Sequence, residues 1–209
     1  MTAAREEMLA RIRAAVTGDP LVGVPRSYRR AGSLPPGGEE CVALLTDRLA
    51  DYGATIHRAG MGSLADAVLA ALASARDVVV PPGLGADVLA ACAASGARIA
   101  TDTPPLSHAE LDQVDAVLTE SAVAIAVTGT IVLDGSEGQG RRALSLIPDR
   151  HVVIVRVSQI VETVPEGLAR LDGTRPITLI SGPSATSDIE LTRVEGVHGP
   201  RNLAVVLVG

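Results

Sequence analysis

The chain has 209 residues, a length suited to one α/β domain with an N-terminal extension. Its 18 basic residues are all arginine, so no Schiff-base lysine and no P-loop lysine exists, and a formal net charge of −6 argues against broad binding to a phosphate backbone. With no Phe, no Trp and two Tyr, the core must be built from Ala, Val, Leu and Ile, and the aromatic platform on which single-stranded nucleic acid stacks is missing. In chain order, residues 3–16 predict a helix whose apolar stripe holds Met8, Leu9, Ile12, Ala15 and Val16, stopped by Gly18-Asp19-Pro20. Residues 18–38 carry four prolines and read as a linker, so 1–38 forms a helix with a Pro/Gly-rich linker and 39–209 the α/β domain. The charged start lacks the apolar core of a signal peptide, and no apolar run approaches the roughly 18 residues of a membrane span. A cytoplasmic protein is expected.

From residue 39 the pattern alternates. Helices are predicted at 39–52, 63–73, 86–94, 108–113, 159–171 and 187–194. Strands are predicted at 54–57, 77–80, 98–100, 115–119, 122–127, 131–133, 151–157, 177–180 and 203–208. Runs such as HVVIVRV and LAVVLV are almost continuously apolar, the pattern of strands covered on both faces in a parallel sheet. The Rossmann GxGxxG fingerprint is absent. Cys41 and Cys92 lie far apart outside any CxxC motif, too few for an iron–sulfur cluster, and read as small buried hydrophobes. His57, His108 and His151 are dispersed without metal-ligand spacing, and no metal site is expected.

Three constellations could carry chemistry. In Thr128-Gly129-Thr130, glycine permits a turn or a close approach and two hydroxyls can donate to an oxyanion; the same residues also suit a plain hairpin or bulge. In the stretch from Asp134 to Arg142, Gly138, Gly140 and Arg141 can cradle an anion ahead of a helix start, or form an ordinary solvated loop. In the third, 181–200, a strand passes through Ser181-Gly182-Pro183 towards helix-capping residues. Ser181, Gly182, Ser184, Thr186 and Asp188 gather there, with Ser187 and Glu190 at capping-box spacing. Strand–turn–helix junctions of open α/β sheets are where anions bind, although good capping alone explains the same residues. His198, beyond that helix, is either a general acid or base or an anchor of its turn. A triad from Ser184, His198 and Asp188 lacks the G-x-S-x-G elbow that would support it.

SGPSATSDIE at 181–190 followed by GVHGP at 196–200 resembles the C-terminal signature of the lactate-utilisation protein C family, the LUD domain. A second block, 127–133 and then GQGRRALSLIPDRHVVIV at 138–155, agrees in order and spacing, and the two cover roughly the last ninety residues. The family pattern often has an acid before TGT; here Val127 stands in its place. The resemblance implies a three-layer αβα fold with a mostly parallel sheet, similar to sugar-phosphate isomerases and coenzyme A transferases. It further implies a soluble subunit of a bacterial L-lactate oxidation system whose iron–sulfur clusters reside in partner subunits. This chain would carry no cofactor and would bind a small carboxylate or phosphate at the TGT and SGPS turns, with a homo-oligomer left open. The alternatives are a stand-alone transferase-like or isomerase-like enzyme and a non-catalytic binding or scaffold module. Coenzyme A transferases of similar fold use a strand-end glutamate as nucleophile; Glu120, flanked by Thr119 and Ser121 without a surrounding motif, is the candidate for the enzyme reading, and Asp188 and His198 are further catalytic candidates.

Overall fold

In a computed structural model, the described residues are 3–16, 23, 25–186, 194–195 and 199–209. The helices are α1 (Ala3–Val16), α2 (Glu39–Asp51), α3 (Leu64–Leu72), α4 (Ala86–Ala94), α5 (His108–Leu111) and α6 (Val164–Leu168). Six strands, β1 (Thr55–Ala59), β2 (Asp77–Val80), β3 (Arg98–Thr101), β4 (Ala116–Glu120), β7 (Arg150–Arg156) and β12 (Asn202–Val208), form the large sheet. Four more, β5 (Val123–Ile125), β6 (Thr130–Leu133), β8 (Ile160–Val161) and β9 (Thr178–Ile180), form a smaller one, while β10 (Ala185–Thr186) pairs with β11 (Val194–Glu195).

The large sheet is parallel throughout, in the order β1-β12-β7-β4-β2-β3. Its two central apolar strands, β7 and β12, are buried on both faces, as their composition predicts. Because side chains alternate along a strand, Val152, Ile154, Ala204 and Val206 point to one face and Val153, Val155, Val205 and Leu207 to the other. The first set packs on Leu64, Val68 and Leu72 of α3 and Val88 and Cys92 of α4. The second meets Cys41, Leu45 and Leu49 of α2 together with Ala124, Ile131 and Leu133 of the small sheet.

That second face corrects the expected three-layer αβα arrangement. It is covered by α2 and by a mixed sheet in the order β8-β5-β6-β9, not by a helical layer. The short α6 lies on the outer side of the small sheet, its Gly167 backbone against Ile125. The helix expected over 159–171 is largely replaced. Ile160 and Val161 pair with β5, and Pro165 occupies the first turn of α6, the place in a helix where a missing amide costs nothing. The helix expected over 187–194 falls mostly outside the described residues, and Val194 is in β11.

Helix α1 buries none of its side chains. Residues 33–38 instead run against the small sheet: Glu162 accepts from the amides of Ser33 and Leu34, and the Gly37 amide donates to Ile160 O at 3.0 Å. Among the described residues no helix is long and apolar enough to cross a membrane.

Candidate functional site

The TGT and SGP turns meet. Thr130 Oγ1 lies 2.8 Å from Ser181 Oγ and donates to Thr128 Oγ1 at 2.8 Å, so these hydroxyls largely satisfy one another. Gly129 closes the β5–β6 hairpin, its amide donating to Ala126 O at 3.1 Å with φ at +55°. A Cβ there would stand 2.7 Å from Arg48 Cβ and 3.1 Å from the Arg48 carbonyl carbon, so glycine lets α2 pack onto the hairpin. Of the two readings open for this motif, hairpin packing accounts for Gly129. The SGP turn leans on the same helix end, with Gly182 against Tyr52.

The loop from Asp134 to Arg142 is internally braced. The Asp134 amide donates to Gln139 Oε1 at 2.6 Å, Gln139 Nε2 donates to Ser136 Oγ at 2.8 Å, and Gln139 is buried. Its two arginines part ways. Arg141 holds the buried Asp102 in a bidentate pair, at 2.7 and 3.1 Å, and also donates to Leu106 O. That pairing holds the Asp102 carboxyl below the usual carboxylate range. Arg141 is therefore spent on the 102–106 loop, even though it borders the cavity described next. No helix follows it; the chain continues in turns, with Leu144 N donating to Arg141 O at 3.0 Å.

Arg142 is exposed and lines a cavity of about 540 Å³ together with Gly135, Ser136, Glu137 and Gly140. No ion pair to Arg142 occurs among the described residues. A second cavity of about 170 Å³ is lined by Ser181, Gly182, Ser184, Leu146, Leu203 and His151. Ser145 and Thr178 border both, so the two adjoin. The fold thus brings the glycine–arginine loop and the SGPS turn to neighbouring cavities, while Thr128 and Thr130 line neither and meet the second through the Thr130–Ser181 contact.

His151 was not singled out by the sequence, where it reads as the first residue of an apolar strand. It is 1% exposed, and Thr119 Oγ1 lies 2.8 Å from its Nε2. Burial pulls its pKa down to about 4, so the ring is neutral near pH 7.

Glu120 ends β4 at the carboxyl edge of the large sheet but borders neither cavity. Its Oε2 accepts from the Gly85 amide at 3.1 Å, and its Oε1 pairs with Arg156 at 3.3 Å. Arg156 also grips Asp87 at 2.9 Å and lowers the pKa of that carboxyl. Gly138 makes room for the arrangement, since a Cβ there would lie 2.5 Å from Glu120 Oε2. Asp188 and His198 lie outside the described residues, and Thr186 contributes its backbone to β10. Among the described residues no group of three His, Cys, Asp or Glu side chains could hold a metal.

The LUD domain family matches residues 107–208, which contain both cavities almost entirely. Lactate utilization protein C of Deinococcus radiodurans is 48% identical over 99% of this chain and 96% of its own length. Lactate utilization protein C of Bacillus subtilis is 35% identical over 46% of this chain and 43% of its own. A crystal structure of a DUF162 family protein from Deinococcus radiodurans superposes with a TM-score of 0.68 at 43% identity, covering 85% of this chain and 100% of that one. With near full-length identity to one such protein and the LUD match across its C-terminal half, the chain belongs to the lactate utilization protein C family.

Proposed function

We propose that this protein is a subunit of a lactate-oxidising system that binds a small anionic ligand and leaves electron transfer to iron–sulfur partners. The observation that carries the ligand reading is the 540 Å³ cavity with Arg142 on its wall. A guanidinium without a carboxylate partner among the described residues, beside a braced loop of glycines, offers a fork and amides matched to carboxylate or phosphate oxygens. Sharing the work with cluster-bearing partners fits the cysteines. Cys41 on α2 and Cys92 on α4 are buried in packing clusters on opposite faces of the large sheet and cannot ligate one cluster together. Glu120 suits a nucleophile poorly while its two oxygens are held by Gly85 and Arg156.

Two measurements test this. Co-purification with candidate iron–sulfur subunits and growth of a deletion strain on lactate probe the system; the proposal falls if both are unaffected. Calorimetric titration with lactate and inorganic phosphate, on the native chain and on Arg142→Gln, probes the anion. Binding that the substitution leaves unchanged removes Arg142 from the site.

A further inference from the structure

We infer that the two adjoining cavities form one bipartite site for a mononucleotide-class ligand, its anionic group at Arg142 and its uncharged ring in the cavity of His151. The inference rests on the anion reading above and deepens it. The larger cavity, about 540 Å³, falls within the range of pockets that enclose whole small molecules. A three-carbon acid would leave most of it empty.

The two halves differ in chemistry. The larger is bordered by Arg142 and by a loop that turns at Gly135 and Gly140, with Glu137 as its one carboxylate. The smaller, about 170 Å³, has no charged side chain on its wall among the described residues; Leu146, Leu179, Ile180 and Leu203 form its apolar part. Against these described walls a charged group would be desolvated without a counter-charge, which favours an uncharged group there. A cavity of about this size accepts a six-membered ring. Within it the hydrogen-bonding groups are neutral, and His151 is the most deeply buried of them.

The geometry of His151 supplies the second observation. Nε2 is engaged by Thr119, and no other bond to the ring occurs among the described residues. Nδ1 makes no bond among the described residues, and the ring borders the small cavity. A neutral imidazole on the cavity wall, with the hydroxyls of Ser145, Thr178 and Ser181 beside the leucines, matches the edge of an uncharged heterocycle, which carries both donors and acceptors. Ser145 and Thr178, common to both walls, mark the passage between ring and phosphate.

The test is calorimetric titration of the full chain with the four ribonucleoside monophosphates, inorganic phosphate and L-lactate, together with ¹⁵N-histidine spectra. At least one monophosphate should bind about tenfold more tightly than phosphate or lactate, and its addition should shift the His151 ring signals while phosphate does not. Leu146→Trp, at a partly exposed rim position, should fill the small cavity and weaken that monophosphate about tenfold, leaving phosphate within about twofold. Arg142→Gln should weaken both alike. If phosphate binds as well as every monophosphate and loses affinity in Arg142→Gln, the anion reading stands and the bipartite site falls. If no monophosphate binds, or the His151 signals stay fixed in every titration, the inference is overturned. Loss of all anion binding in the native chain would remove the anion reading too.

Discussion

Replacing His151 by glutamine should flatten the dependence of stability on pH between 7 and 5. In the folded protein burial holds the ring's pKa near 4, whereas in the unfolded chain it returns to the ordinary value of 6.5. Among the described residues no charged side chain lines its cavity, and desolvation by burial sets the shift. The unfolded chain then binds a proton that the folded state refuses, and stability, complete above pH 6.5, is lost as pH falls towards 4. At about 1.4 kcal/mol per pKa unit the whole shift is worth about 3 kcal/mol, of which about 2 kcal/mol disappears between pH 7 and 5. For a domain of this size that corresponds to roughly 4–8 °C in Tm. Carboxylates held low by their partners, such as Asp87 and Asp102, act in the same direction but at lower pH, because they lose stability as pH falls through their own depressed pKa values. His57 is also lowered by burial, so the quantity to compare is the difference in slope between the native chain and His151→Gln in urea denaturation at several pH values. Equal slopes would refute the argument. So would a His151 ring that titrates near 6.5 by NMR in the folded native protein, a readout that does not depend on the variant folding.

The bidentate Arg141–Asp102 pair predicts that Arg141→Gln costs about 2–4 kcal/mol in urea denaturation, because it strands a buried carboxylate. The double variant with Asp102→Asn should recover part of that loss; strict additivity would show that the two do not act as a pair. Gly129→Ala should destabilise by about 1–3 kcal/mol through positive φ and the clash with Arg48, whereas Gly173→Ala, with open space around it, should stay within about 0.5 kcal/mol. Equal effects in thermal melts would contradict the packing account of the TGT glycine. Deleting residues 1–16 should move Tm by no more than about 2 °C, since α1 buries nothing; a larger loss would mean that α1 packs on the domain in solution.

The sequence was legible where one physical signal dominates. β7 and β12 are strands because their residues are apolar on both faces, and the meeting of the TGT and SGPS turns follows a shared polar character across 51 positions. The small sheet was legible in part. β5, β6 and β9 match the strands expected at 122–127, 131–133 and 177–180, but β8, with two residues, was missed, because Ile160-Val161 fits the start of an amphipathic helix equally well. Nothing local tells Arg141 from Arg142; the difference lies in Asp102, 39 residues upstream, which claims the first and leaves the second facing the cavity. His151 was hidden for a similar reason. One polar residue at the head of an apolar strand gives no sign that a cavity will open beside it.

The composition that looked like a constraint on the core bears directly on the site. Where the small sheet departs from the large one, the gap between β9 and the N-terminal ends of β7 and β12 must be filled by side chains or left open. The described side chains that border it include Ser145, Leu146, Thr178, Leu179, Ile180, Leu203 and His151, and no aromatic side chain other than the His151 ring is among them. Among the described residues, the leucines on its wall have no protein side chain opposite them with which to make dispersion contacts. A ligand ring placed there would restore those contacts and raise stability by mass action. By the same reasoning Leu146→Trp fills the gap from within: it should raise the Tm of the ligand-free chain while lowering affinity for the ring. A cavity that is merely loose packing would show the gain in stability without the loss of binding.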